Sequence, residues 1–159
     1  MNWLKTLLWS VFVPGTLTTL VPFFILRSSS EGFSLNLSGF RYVGIIPITF
    51  GALLYFWCAW SFAFVGDGTP APFDAPKKFV ATEAYQFTRN PMYVACVSVL
   101  TGEAIFFEST AILIYAFVLF LIFHIWILIY EEPTLRKKFG ASYEEYCREV
   151  SRWLPFKKK

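Results

Sequence analysis

The chain has 159 residues, of which 56% are hydrophobic, 21% aromatic and 16% charged, with a mean hydropathy of +0.52. Soluble domains carry about 25% charged residues, so the balance argues against a soluble globular class, and a net charge of +3 that collects in the tail does not read as nucleic-acid binding. One histidine and three cysteines without metal or redox spacing argue against a zinc site and a disulfide framework.

Four apolar runs follow in chain order, each judged against the roughly 20 apolar residues a bilayer span needs. Trp3 to Leu26 is interrupted by Lys5, Pro14-Gly15 and Pro22, which a spanning helix tolerates as kinks. It is long, has a single leading lysine and lacks a small-x-small cleavage site, so it reads as a span rather than a secretory signal. Phe40 to Val65 carries only Arg41, at its edge. Gly66 to Asn90 opens Gly-Asp-Gly-Thr-Pro-Ala-Pro-Phe-Asp-Ala-Pro, whose turn formers and prolines predict an ordered loop over a site. The Gly66-x-Gly68 pair lacks the third glycine of a dinucleotide fingerprint. Met92 to Phe107 is short and contains Glu103, a carboxylate that inside a membrane is costly and usually faces a partner or a pathway. Ala111 to Tyr130 contains His124, and the brief Phe107–Thr110 connector predicts a tight antiparallel hairpin.

The expected fold is an all-α integral membrane protein of about four transmembrane helices with a cytoplasmic, amphipathic helical tail. Two N-terminal spans occupy residues 1–65, and a loop, hairpin and tail occupy 66–159. With a cytoplasmic N-terminus only Arg27 and Arg41, of 14 lysines and arginines, fall outside, as the positive-inside rule requires. Both dense polar segments, Gln86-Phe-Thr-Arg-Asn-Pro-Met-Tyr93 and Glu131-Glu132, then lie on the cytoplasmic face where apolar helices meet water. The terminal Lys157-Lys-Lys159 suits an anionic lipid surface or is a solvated charge run.

The ordered set Gly-Asp-Gly-Thr-Pro-Ala-Pro, Tyr85, Arg89-Asn-Pro-Met-Tyr93, Glu131-Glu132-Pro-x-Leu135, Phe139-Gly140, Tyr143-x-x-Tyr146 and Arg152-Trp-Leu-Pro155 resembles the isoprenylcysteine carboxyl methyltransferase and phospholipid methyltransferase superfamily of integral membrane enzymes. The resemblance covers roughly the C-terminal 95 residues; the first two spans match in hydrophobicity only. It implies S-adenosylmethionine as cofactor, held by Arg89, Pro91, Tyr93, Glu131 and Glu132. Asn90 stands where the family more often has histidine, and an amide still donates and accepts hydrogen bonds.

The cofactor presents a sulfonium, an ammonium, a carboxylate, ribose hydroxyls and adenine. Glu131 or Glu132 can accept from the ammonium or ribose, Arg89 can pair with the carboxylate or hold a glutamate, and Tyr85, Tyr93, Phe139 and Tyr143 can wall the adenine. Asn90 completes the candidate cofactor set. On a regular helix His124 and Glu131, seven residues apart, share a face, and Glu132 and Arg136 are spaced to pair; Arg136 is the candidate substrate contact. Methyl displacement by a thiolate or carboxylate needs little acid or base, whereas an amine must lose a proton, making Glu132, Glu103 or His124 candidate bases. The expected partners are the bilayer and a lipid-like or amphipathic acceptor, with no metal and no nucleic acid. A membrane NADPH-dependent sterol or steroid reductase, which has a similar C-terminal arrangement, is the nearest enzyme alternative, and a non-enzymatic scaffold the second.

Overall fold

The computed structural model describes residues 12–28, 35–64 and 83–154. The start of the first apolar run, the proline-rich segment from Gly66 to Pro76 and the basic terminus Lys157–Lys159 lie outside the described residues. Every element within them is helical. Helix α1 spans Phe12–Ser28 and includes a π turn at Thr16–Leu20. A 3-10 segment, Ser38–Gly44, leads into α2, Ile45–Phe64, and a second, Glu83–Gln86, precedes α3, Pro91–Phe106. Helix α4, Thr110–Trp126, runs through a π turn at Ile127–Glu131 into α5, Glu132–Phe139, and α6 covers Ala141–Glu149.

Two of these helices are long and apolar enough to cross a membrane, Ser38–Ser61 and Thr110–Phe139, while Phe12–Ser28 and Pro91–Phe106 are apolar but shorter. Their burial separates them from the core helices of a soluble protein. Only 17% and 22% of the two long apolar windows are buried, and Ile46, Phe50, Leu53, Phe56 and Trp60 of α2 and Phe117, Ile122 and Ile129 of α4 and its π turn stand exposed. Water would not tolerate so continuous an apolar face; hydrocarbon does.

Helices α3 and α4 form the predicted hairpin. The Ser109 hydroxyl accepts from the Ile112 amide at 3.3 Å and so caps α4, satisfying one of the donors a helix start leaves open. Along α3 the closest packing is against α2, and it is set by missing side chains. A Cβ on Gly51 would lie 2.6 Å from the Ala95 carbonyl oxygen, and one on Gly102 would lie 2.5 Å from that of Gly44. In hydrocarbon, where no hydrophobic gain drives helices together, such small-residue seams permit the backbone approach that does. Helix α1 joins through Tyr115, whose hydroxyl donates to the Leu17 carbonyl at 3.0 Å within the π turn that frees it.

Helix α5 carries Glu132 in its first turn and Arg136, Lys137 and Lys138 in its last, matching the helix dipole at both ends. Gly140, at φ 55° and ψ −129°, ends it in a conformation that disfavours a Cβ. The chain then turns into α6, whose Tyr143 and Tyr146 pack with Leu135, Phe139 and the following Val150 into a small core of their own.

Candidate active site

Asn90 and Pro91 begin α3. Pro91 takes the first helical position, where its missing N–H costs nothing. The Asn90 side chain does not cap the helix; its amide donates instead to the Arg152 carbonyl at 3.0 Å. The Thr88 hydroxyl donates to the same carbonyl at 2.9 Å, and the Arg89 amide donates to the Ser151 carbonyl at 3.0 Å. A C-terminal strap, Val150–Leu154, is thereby stitched across the entry to α3. The Tyr146 hydroxyl adds a further stitch, donating to the Tyr85 carbonyl at 2.6 Å.

The strap delivers Arg152 to Glu132, which is only 3% exposed. Arg152 Nε and Nη2 donate to the two carboxylate oxygens at 2.8 and 3.1 Å. Arg89 Nη1 lies 3.1 Å from Oε1 and Arg136 Nη2 lies 3.6 Å from Oε2. Burying a carboxylate costs several kcal/mol unless charge and hydrogen bonds replace water, and three guanidiniums do so here. Arg89 Nη1 also reaches Cys147 Sγ at 2.8 Å, and Arg136 Nε donates to Glu144 at 2.8 Å. Burial pushes the Tyr143 and Tyr146 hydroxyls up from their ordinary values, so both stay protonated donors.

Glu131 has different company. The Tyr93 hydroxyl donates to its Oε2 at 2.9 Å, and the Tyr93 ring lies 4.7 Å from that of Phe123. Among the described residues no cation pairs with Glu131. His124 accepts at Nδ1 from Trp153 Nε1 at 3.1 Å, and Phe120 packs on both rings.

These contacts revise the helical register. Tyr93 touches Phe123 and Glu131, while the strap touches His124 and Glu132, so the residues that share a face are eight apart. In an unbroken α-helix eight residues overshoot two turns by about 80°. The π turn at Ile127–Glu131 takes up the extra residue. His124 therefore shares its face with Glu132, and the seven-residue arithmetic that placed it with Glu131 does not hold.

The remaining candidates fall as follows. Arg89, Asn90, Pro91, Tyr93, Glu131, Glu132 and Arg136 are brought to one end of the α3–α4 pair. Tyr85 joins through its carbonyl, while Phe139 and Tyr143 belong to the core of the tail helices. Glu103 is not brought there: it sits twelve residues beyond Pro91, about 18 Å along α3, with its Oε2 buried and, among the described residues, without a hydrogen-bond partner. Phe123 carries no motif signal in the sequence, while Thr88 and Trp153 lie inside quoted motifs without a role of their own there. Arg152 was visible only as part of the Arg-Trp-Leu-Pro motif.

Apolar helices that expose their flanks to hydrocarbon and gather a buried charge cluster at one end define a helical membrane protein with a polar site at the edge of the bilayer. Residues 40–142 match the phospholipid methyltransferase family, and the chain belongs to it: it is a membrane methyltransferase. Among curated proteins no match was found. The matched region takes in α2 and the motifs from Gly66 to Gly140, further upstream than the motifs alone reach, and stops before Tyr143-x-x-Tyr146 and the strap.

Proposed function

We propose that this protein transfers the methyl group of S-adenosylmethionine to a lipid-like acceptor where its apolar helices meet the aqueous phase. The observation that supports this most directly is Glu131, a carboxylate without a counter-ion among the described residues and set beside the Tyr93–Phe123 ring pair. Such a place suits a ligand cation, held by charge and by aromatic faces, and the cofactor carries two. The donor set therefore fits it, with Glu131 and Tyr93 on a cationic group and Arg89 on the carboxylate.

When bound, the cofactor supplies an electrophilic methyl carbon. The protein's own part is placement and exclusion of water. Glu132 acts as a positioning residue: with both oxygens engaged by Arg152, it fixes Arg89 at the head of α3 and ties the strap down over the site. An acceptor approaching from the bilayer would meet apolar walls on α3 and α4. The topology that goes with this reading has four spans, residues 1–65 forming two of them and 66–159 the catalytic region, with both termini and the site on the cytoplasmic face.

Calorimetry on the detergent-purified protein tests the reading, with S-adenosylmethionine and S-adenosylhomocysteine in one series and NADPH in another. Micromolar binding of the first pair alone is expected. Binding of NADPH alone would move the protein to the reductases. Binding of neither would leave the scaffold.

A further inference from the structure

We propose that His124 is a hydrogen-bond donor to a phosphodiester oxygen of a glycerophospholipid acceptor, and that Trp153 holds it in the tautomer that makes it one. The proposal rests on the methyltransferase reading for its substrate and on the structure for its geometry. An indole nitrogen only donates, so the 3.1 Å bond from Trp153 Nε1 requires a lone pair on His124 Nδ1. The ring proton then sits on Nε2. A base would need the lone pair that Trp153 occupies, so the face that His124 offers outward is an N–H. That nitrogen has no protein partner among the described residues, and it is not among the buried unpartnered polar atoms.

What lies next to it identifies the ligand. Phe120 stacks on His124, with ring centroids 6.2 Å apart, and packs on Trp153 at 4.8 Å. Phe120 also lines an open apolar groove of about 410 Å³ together with Val97, Thr101, Leu113, Ile114 and Phe117. Leu113, Ile114 and Phe117 are exposed on the flank that faces hydrocarbon, so an acyl chain is what meets this groove in a bilayer. A lipid whose chain lies there brings its headgroup to His124. One turn-pair further along the same helix, Glu131 is placed to hold the cofactor's cation. The groove and the N–H donor thus follow one another along α4, and the carboxylate comes next at the end of the π turn, about 90° round the helix from His124, the order in which chain, phosphate and reacting end would pass.

His124 is the sole histidine of the chain, so selective ¹⁵N labelling yields a single pair of imidazole resonances. In the wild-type protein Nδ1 is expected to resonate as an unprotonated acceptor and Nε2 as N–H, with Trp153→Phe releasing the ring to a mixture of tautomers. Mixed micelles of dioleoylphosphatidylethanolamine should shift the Nε2 signal, and dioleoylglycerol, which lacks the phosphate, should not. His124→Ala should raise KM for the phospholipid about 10–100-fold, the usual worth of a hydrogen bond to a charged group, and His124→Gln, whose amide restores a donor, should recover most of it. A protonated Nδ1 in the wild type, or an Nε2 signal that the phospholipid leaves in place, overturns the proposal; so does a His124→Gln variant that keeps KM and loses kcat, the mark of a base. S-adenosylmethionine binding, followed separately by calorimetry, should survive His124→Ala. Its absence from the wild type, with the lipid shift intact, would count against the methyltransferase reading and not against the lipid contact.

Discussion

Glu131 and Glu132 are neighbours in sequence with different work. Consecutive residues on a helix point about 100° apart, so one meets Tyr93 of α3 and the other meets the arginines of the loop and strap. Glu132→Gln should leave three guanidiniums around a neutral amide, and removing one partner from a buried ionic group typically costs about 3–5 kcal/mol. The expected outcome is a sharply lower unfolding temperature in detergent, and an unchanged one would contradict the positioning role. Glu131→Gln keeps an acceptor for the Tyr93 hydroxyl and should unfold as the wild type does. Its S-adenosylmethionine affinity should fall by about tenfold or more, as the loss of a charge-assisted contact predicts; undiminished binding by calorimetry would remove Glu131 from the cofactor site. The Glu-Glu pair was legible in the sequence, but the division of labour was not, because it depends on which partners lie across the fold.

Two features of the helices were set by packing and not by pattern. The π turn at Ile127–Glu131 carries no sequence mark in an unbroken apolar run, yet it moves His124 from the face of Glu131 to that of Glu132. The crossing of α2 and α3 depends on Gly44, Gly51 and Gly102, whose absent side chains only acquire meaning when the facing helix is known. Gly102→Val should force backbone atoms apart, since a Cβ there meets the Gly44 carbonyl at 2.5 Å and the Ile48 amide at 2.8 Å. Overpacking of that kind costs about 1–3 kcal/mol, or more where backbone is the obstacle. Gly39→Ala, whose Cβ meets nothing within 4 Å, is the matched control. Equal unfolding temperatures for the two variants would show that the crossing is not tight.

At the scale of the molecule, the charge asymmetry predicts which side each end faces. A membrane-impermeant maleimide should label a cysteine at Lys137 above the wild-type background only when the cytoplasmic face is accessible, and one at Gly39 only from the opposite face. Labelling of both from one side would break the four-span topology, because an even number of crossings between the two positions requires α2, or one helix of the α3–α4 pair, not to span.

The amino-acid sequence by itself determined the class of environment, the helical fold and the motifs that mark the family. These are properties of local composition: long apolar runs, the residues that interrupt them, and the order in which polar groups recur. Tertiary structure alone decided how those polar groups are shared out. The strap reaches Thr88, Arg89 and Asn90 from more than 60 positions away, and its Arg152 and Trp153 decide that Glu132 is enclosed and that His124 presents an N–H. Such contacts depend on distances across the fold, which spacing along one chain does not encode until the helices have docked.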